Sequence, residues 1–329
     1  MNVVTLKKIS EVLGVSVSTV SRALKDHPDI SALTKRKVME LAHSLEYEPN
    51  INAINLRNKH SMLFGLIVPT ISRYFYDSFI LSVEEEGRKQ GYSLLILQTG
   101  ENADIEQNSI RICRQNRVAG VFACLSANTV DVEPYLRLKD VNIPVIFFDK
   151  VPELEDSIKV TAADAQAASM AADALLAKGK QCILAIFGNN QLSITRRRIA
   201  SFSNQIALQK GVELFIEHAH NPLEATGLVE RYFKKEQKPD AVFCMSDEIL
   251  TGVMKGLQAL HINVPQETGV LALSNGFFPK LYYPEITYVE TSGYELGKLA
   301  FARMLQLIRE EEVEKETTVG ACLVEGGSL

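Results

Sequence analysis

A chain of 329 residues, 46% of them hydrophobic, can bury one large core or two medium ones beside any small appendage, so a soluble protein built in several parts is expected. Its five cysteines (Cys113, Cys124, Cys182, Cys244 and Cys322) stand singly, without CxxC pairs or histidines at ligand spacing, which speaks against a metal site or a disulfide framework and for reduced thiols. The net charge of −5 argues weakly against nucleic acid, but residues 1–60 hold nine Lys/Arg and six Asp/Glu, a net of +3, leaving −8 for the remainder.

The opening stretch MNVVTLKKISEVLG lacks the apolar run of a signal peptide, and no later run approaches a membrane span, so a cytoplasmic protein without membrane contact is expected. Leu6, Ile9 and Leu13 fall at i, i+3 and i+7 and predict a short amphipathic helix, N-capped by Thr5 and stopped by Gly14. Ser16 can cap a second helix, in which Val20, Ala23 and Leu24 form an apolar stripe while Val17, Ser18, Ser21 and Arg22 share the opposite face. Ser31 starts a third helix, whose Val38, Leu41, Ala42 and Leu45 close a three-helix core. Helix, Gly-containing turn and second helix form the arrangement that places a helix in a major groove, although the same periodicity also fits a plain αα-hairpin.

Residues 5–24, TLKKISEVLGVSVSTVSRAL, continued by TKRKV at 34–38 and LEYEPN at 45–50, resemble the helix-turn-helix signature of the lac repressor/galactose repressor (LacI/GalR) family. The resemblance extends over essentially the whole chain and implies a sequence-specific transcription regulator acting on double-stranded DNA. It places Val17, Ser18 and Arg22 at base edges and Thr5, Ser16, Thr19 and Ser21 near phosphates. The chemistry agrees, since arginine can be bidentate to guanine, serine is permissive and valine offers methyls to thymine. Lys8 departs from the family, which often has an acidic residue there; the capping box is lost and a positive charge gained.

Residues 50–60, NINAINLRNKH, are polar, lack Pro and Gly, and read as a linker. The resemblance implies a hinge that becomes helical on DNA, with Asn50 and Leu56 completing the DNA-binding positions and Leu56 wedging into the minor groove. Ile54 stands where relatives often have a polar or basic residue. As an isolated segment this hinge is too short to hold a helix in water.

From residue 61 onward, apolar runs at 63–68, 93–97, 120–124, 144–148, 183–187, 241–245 and 269–273 predict strands. Segments 75–90, 104–116, 166–178, 195–209, 225–234 and 247–260 between them predict helices. This alternation argues for parallel sheets covered on both faces, split into two Rossmann-like lobes. The boundaries expected are a headpiece at 1–48, a hinge at 49–60 and a core at 61–329. Within the core, lobe 1 takes about 61–160 plus 292–329 and lobe 2 about 161–291. The resemblance implies the type I periplasmic-binding-protein architecture, with a small-molecule effector, a sugar or sugar derivative, held between the lobes at strand ends.

Ser72, Tyr74, Phe75, Tyr76, Asp149, Arg196, Arg198, Asp247, Ser274 and Asn275 fall at those strand ends and are the candidate effector residues. By the resemblance they supply an aromatic wall, a hydrogen-bonding carboxylate and a clamping arginine, for which Arg198 is the closest counterpart. Asp247 could instead cap its helix, Tyr74 to Tyr76 could pack lobe on lobe, and Arg196 and Arg197 could be solvated. The family more often carries Asp where Ser274 stands; without that carboxylate, beside an arginine-rich segment, the pocket is less negative and fits an acidic sugar, a phosphorylated sugar or another anion.

No G-x-S-x-G, H-E-x-x-H, Walker loop or G-x-G-x-x-G following a strand occurs, so no enzyme and no cofactor are expected. A homodimer on a pseudo-palindromic operator is expected, because one headpiece makes few base contacts; the Glu-rich stretch near 310–316 has no leucine heptads to build a tetramer.

Overall fold

The computed structural model describes residues 4–47 and 61–329, which belong to two compact units, Met1–His60 and Ser61–Leu329. The hinge 49–60, with Asn50, Ile54 and Leu56, lies outside the described residues.

The first unit holds α1 (Leu6–Leu13), α2 (Val17–Leu24) and α3 (Ala32–Ser44). Ile9, Val20, Ala23, Val38 and Ala42 are buried together, with Leu6, Leu13, Leu24, Leu41 and Leu45 packed around them. All three helices are N-capped by the expected hydroxyls: Thr5 accepts from Lys8 N at 3.3 Å, Ser16 from Thr19 N at 3.0 Å and Ser31 from Thr34 N at 3.2 Å. Gly14 ends α1 at φ +65°, a left-handed conformation that a β-carbon disfavours.

The second unit contains β1 (Leu63–Val68), α4 (Tyr74–Lys89), β2 (Ser93–Gln98), α5 (Ala103–Gln115), β3 (Gly120–Ala123), α6 (Glu133–Leu136), β4 (Val145–Phe148) and β5 (Lys159–Ala162). There follow α7 (Asp164–Ala177), β6 (Cys182–Phe187), α8 (Ser193–Ala207), β7 (Glu213–His218), α9 (Pro222–Phe233), β8 (Ala241–Cys244), α10 (Asp247–Ala259), β9 (Gly269–Ser274) and β10 (Thr287–Glu290). The chain ends through α11 (Gly293–Ile308), β11 (Glu316–Val319) and β12 (Cys322–Val324). Two six-stranded sheets result, ordered β11-β5-β4-β3-β1-β2 and β12-β10-β9-β8-β6-β7. Among the described residues every strand pairing is parallel except that of β10 with β12. Buried runs such as LFGLIV and CILAIF are what a parallel strand covered on both faces requires.

Three short connections join the lobes. The chain leaves the first sheet after β5, returns from β10 into α11, and leaves again from β11 to β12. The assignment of 292–329 to the first lobe therefore needs correction: 322–324 pairs with β10, and Ser328 accepts from Thr287 N at 2.7 Å and donates to the Val270 carbonyl at 2.6 Å. Strands β5, β7, β10, β11 and β12 were not among those expected. They are short, or, like β7 (ELFIEH), lie at a sheet edge with no fully buried residue. Helix α11 lies close against α4 because Gly293 and Gly297 carry no side chain; a Cβ at Gly293 would come within 2.4 Å of the Phe75 carbonyl.

Candidate effector cleft and DNA-reading face

In α2 the exposed residues Val17, Ser18 and Arg22 face away from the buried Val20 and Ala23. Ser16 Oγ also bonds Ser18 Oγ at 2.7 Å and Thr19 Oγ1 at 2.8 Å, a hydroxyl cluster at the start of the helix. Thr5 is exposed, and Ser21 is half-buried. The Arg22 guanidinium is more than half exposed and lies 3.8 Å from Asp29, an ion pair that water screens and DNA can displace. The helix thus presents a short polar face with one long cation at its far end.

In the second unit a cavity of about 400 Å³ lies between the two sheets. Phe75, Tyr76, Asp149, Arg198, Asp247, Ser274 and Asn275 of the candidate set line it. Asp149 follows β4 at φ +56°, strained for a residue with a β-carbon, and the Tyr76 hydroxyl donates to its Oδ2 at 2.8 Å. Burial, followed by the neighbouring Asp149 charge, holds the Tyr76 phenol well above its usual range, so it stays a donor. Arg198 is 7% exposed; its Nε and Nη2 donate to Asp164 Oδ1 at 3.0 and 2.7 Å, and Nη1 to the Met245 carbonyl at 3.3 Å. Burial raises the Asp164 carboxyl while Arg198 pulls it down.

Asp247 occupies the first position of α10, where Ser246 is the cap, so Asp247 is not the capping residue. Its Oδ1 accepts from Ser274 Oγ at 2.5 Å and its Oδ2 from Asn275 N at 3.3 Å. Burial pushes its carboxyl up to about 6, against the hydrogen bonds from Ser274 and Asn275. This corrects the argument from Ser274: the missing carboxylate is supplied by Asp247 from the neighbouring strand end, so that corner is not depleted of negative charge. The Asn275 amide is engaged, donating to Ser78 Oγ and accepting from Gly293 N, both at 2.8 Å. It ties β9 to α4 and α11 across the lobes.

Three candidates lie elsewhere. Ser72 is exposed and bonds Thr70 Oγ1 at 2.8 Å. Tyr74 stacks on Phe277 with centroids 4.7 Å apart, packing lobe on lobe. Arg196 points away from Arg198 on α8, pairs with Glu153 at 3.0 Å, and lines a neighbouring cavity of about 380 Å³. Residues separated by two positions on a helix face nearly opposite ways, which is why only one arginine of the pair reaches the main cavity.

Sequence reasoning passed over Arg73, Glu101, Lys150, Thr195 and His220, which also line the main cavity. Arg73 lies 3.9 Å from Glu248 across the lobes, and the buried Lys150 ammonium pairs with Glu101. Glu101 is a second left-handed residue, at φ +61°, and accepts from Ala127 N at 2.6 Å. Thr195 could have been found, since it precedes Arg198 by three on the same face of α8. Among the described residues no cluster of three or more His, Cys, Asp or Glu could hold a metal ion, and no helix is long and apolar enough to cross a membrane.

A three-helix unit with an exposed polar second helix, joined in one chain to a two-lobed core with a polar cleft, defines a ligand-responsive DNA-binding regulator. A model of the periplasmic binding proteins and sugar binding domain of the LacI family matches residues 61–323, and one of the bacterial regulatory proteins of the lacI family matches residues 5–50. The chain belongs to the LacI family of bacterial transcriptional regulators. It is 29% identical over 319 residues to the HTH-type transcriptional regulator RegA of Clostridium acetobutylicum, covering 94% of each chain. It is 26% identical over 314 residues to the HTH-type transcriptional repressor PurR of Vibrio parahaemolyticus, again with 94% of each covered. A crystal structure of the lac repressor dimer bound to operator and the anti-inducer ONPF superposes with a TM-score of 0.89 at 19% identity, covering 99% of this chain and 98% of that one.

Proposed function

We propose that the chain is a repressor that binds a pseudo-palindromic operator as a homodimer in the cytoplasm and exchanges it when a polyhydroxylated small molecule occupies the cleft. Val17, Ser18 and Arg22 read base edges, and Thr5, Ser16, Thr19 and Ser21 lie at phosphates, with Asn50 and Leu56 contributing from the hinge. The observation that carries the effector reading is the pairing pattern of the cleft. Arg73, Lys150 and Arg198 are offset by Glu248, Glu101 and Asp164, whereas Asp149 accepts from the Tyr76 hydroxyl and the Cys124 thiol and Asp247 from the Ser274 hydroxyl and the Asn275 amide, neither with a cation partner among the described residues. Two such carboxylates accept hydrogen bonds from ligand hydroxyls, and the Phe75 ring supplies an apolar wall for a sugar face.

The headpiece relatives and the superposed operator complex support the DNA half of this reading. The test is a screen of neutral, amino and acidic sugars and other metabolites by thermal shift and calorimetry, repeated on Asp149→Asn. A metabolite that binds wild type, weakens by an order of magnitude in the variant and changes operator affinity supports the reading. A metabolite that shifts operator affinity equally in both proteins places the effector elsewhere.

A further inference from the structure

Helix α5 ends at the strand starts of the first sheet with a run of arginines. Arg111 and Arg114 lie on its exposed side, and the exposed Arg117 follows just past its last residue, Gln115. Residues 107–130 contain no Asp or Glu. Elsewhere in the lobe Arg88, Lys89 and Arg137 are paired with Glu84, Glu86 and Glu133, whereas among the described residues no ion pair or side-chain hydrogen bond engages Arg111, Arg114 or Arg117. A helix C-terminus favours cations, but that field fades within the last turn and accounts for Arg114 alone. Arg111 precedes that turn, and Arg117 stands beyond it at φ +48°. Nor is the cluster a matter of composition, because the residues after 60 carry a net charge of −8.

The arginines sit where the chain enters the core. The Met62 carbonyl accepts from Ser93 N at 2.9 Å and the Leu63 carbonyl from Ala119 N at 2.7 Å, so the entering strand lies between the starts of β2 and β3. Arg117 is two residues from the second of these bonds. The segment that arrives there comes from the DNA-reading helices. Residues 48–60 between the two described parts form a tether of at most about 45 Å when fully extended.

We propose that Arg111, Arg114 and Arg117 form a phosphate-contact surface on the core, occupied by the backbone of double-stranded DNA flanking the operator. Charge complementarity and the tether favour this occupant over an acidic protein: a chain bound to DNA through α2 holds its own core within a tether's length of a dense polyanion. A guanidinium grips two phosphate oxygens at once, and three of them without carboxylate partners are free to do so. Such contacts add affinity without base preference, since phosphates carry no sequence information. The inference rests on the operator reading and extends the DNA contacts beyond the headpiece and hinge.

The test uses the full chain and the operator obtained by selection, as a minimal duplex and with about two helical turns, roughly 20 bp, added at each end. Binding is followed by anisotropy over a salt series. Wild type is compared with the triple variant Arg111→Gln, Arg114→Gln, Arg117→Gly, in which glycine suits the left-handed backbone at 117 and keeps Tm. A control triple, Lys178→Gln, Lys210→Gln, Lys238→Gln, removes the same charge from exposed positions before the strands of the second sheet. Wild type is expected to bind the extended duplex at least threefold more tightly than the minimal one. Its slope of log affinity on log salt is expected to be steeper there by about 2, one phosphate contact from each of two chains at about 0.9 apiece. The arginine triple loses both gains and keeps the selected motif, whereas the lysine triple keeps both gains. An arginine triple that matches wild type on the extended duplex assigns the surface to another partner and overturns the proposal. So does a loss of equal size on the minimal duplex, which places the effect at the headpiece and hinge, or an equal loss in the lysine triple, which makes it one of net charge. A wild type that selects no operator removes the operator reading as well; one that selects an operator and gains nothing from the flanks removes this surface alone.

Discussion

Replacing Arg198 by Met keeps much of the side chain's volume and deletes three hydrogen bonds: two to Asp164 Oδ1, at 3.0 and 2.7 Å, and one to the Met245 carbonyl. Asp164 is 4% exposed, so the loss leaves a buried carboxylate without a cation, and breaking such a pair from one side costs about 3–5 kcal/mol. In a core of this size each kcal/mol moves Tm by about 2–4 °C, so calorimetry of the full chain is expected to show the core transition lowered by about 6–20 °C at pH 8. The deficit has a defined pH dependence. Burial already raises the Asp164 carboxyl, and Arg198 opposes the rise, so its removal raises it further. A carboxyl raised in the folded state contributes stability that is present below its unfolded value and lost as pH rises through the folded one. The deficit of Arg198→Met is therefore expected to shrink from pH 8 to pH 5, and the added change Asp164→Leu to recover most of it. A double variant no more stable than Arg198→Met, or a deficit that grows on acidification, would refute the reasoning.

Asp247→Asn is expected to flatten the stability profile between pH 4.5 and 8 and to raise Tm most above pH 7. The rise of its carboxyl from 3.8 to about 6 corresponds to about 3 kcal/mol that the ionised form costs; parallel profiles for variant and wild type would contradict this. Asn275→Ala strands the Gly293 N–H and loosens the tie between lobes, for an expected loss of about 1–3 kcal/mol in thermal unfolding; an unchanged Tm would contradict it. Arg22→Ala is expected to cost about 1–3 kcal/mol in operator binding and to relax one base position per half-site, read by anisotropy on a set of single-base operator variants. Leu56→Ala is expected to reduce DNA bending in a FRET assay while leaving the core transition unchanged.

The headpiece was legible because each helix carries its own punctuation: Thr5, Ser16 and Ser31 cap, Gly14 stops, and Ile9, Val20 and Val38 meet in one core. The central strands were legible as uninterrupted apolar runs. Strand β5 (KVTA) begins with a lysine, and β12 has three residues, so neither carries a periodic signal long enough to find. Position in the cleft was harder to read, because strand ends point to a region while helix phase decides which side chain enters it. Tyr76 and Arg198 enter, whereas Tyr74 and Arg196, two residues away, turn to Phe277 and Glu153. The Lys150–Glu101 pair joins residues 49 positions apart, and Asp247 reaches Ser274 over 27, relations that only the folded sheets create.

The most direct measurement is binding-site selection by the full-length protein from a random double-stranded DNA pool, with the stoichiometry of the selected complex measured by mass photometry. Regulation by this family member through α2 requires an enriched inverted repeat bound by two chains, with enrichment at one position of each half-site lost for Arg22→Ala. No enriched sequence, or a selected motif unchanged by Arg22→Ala, would contradict it.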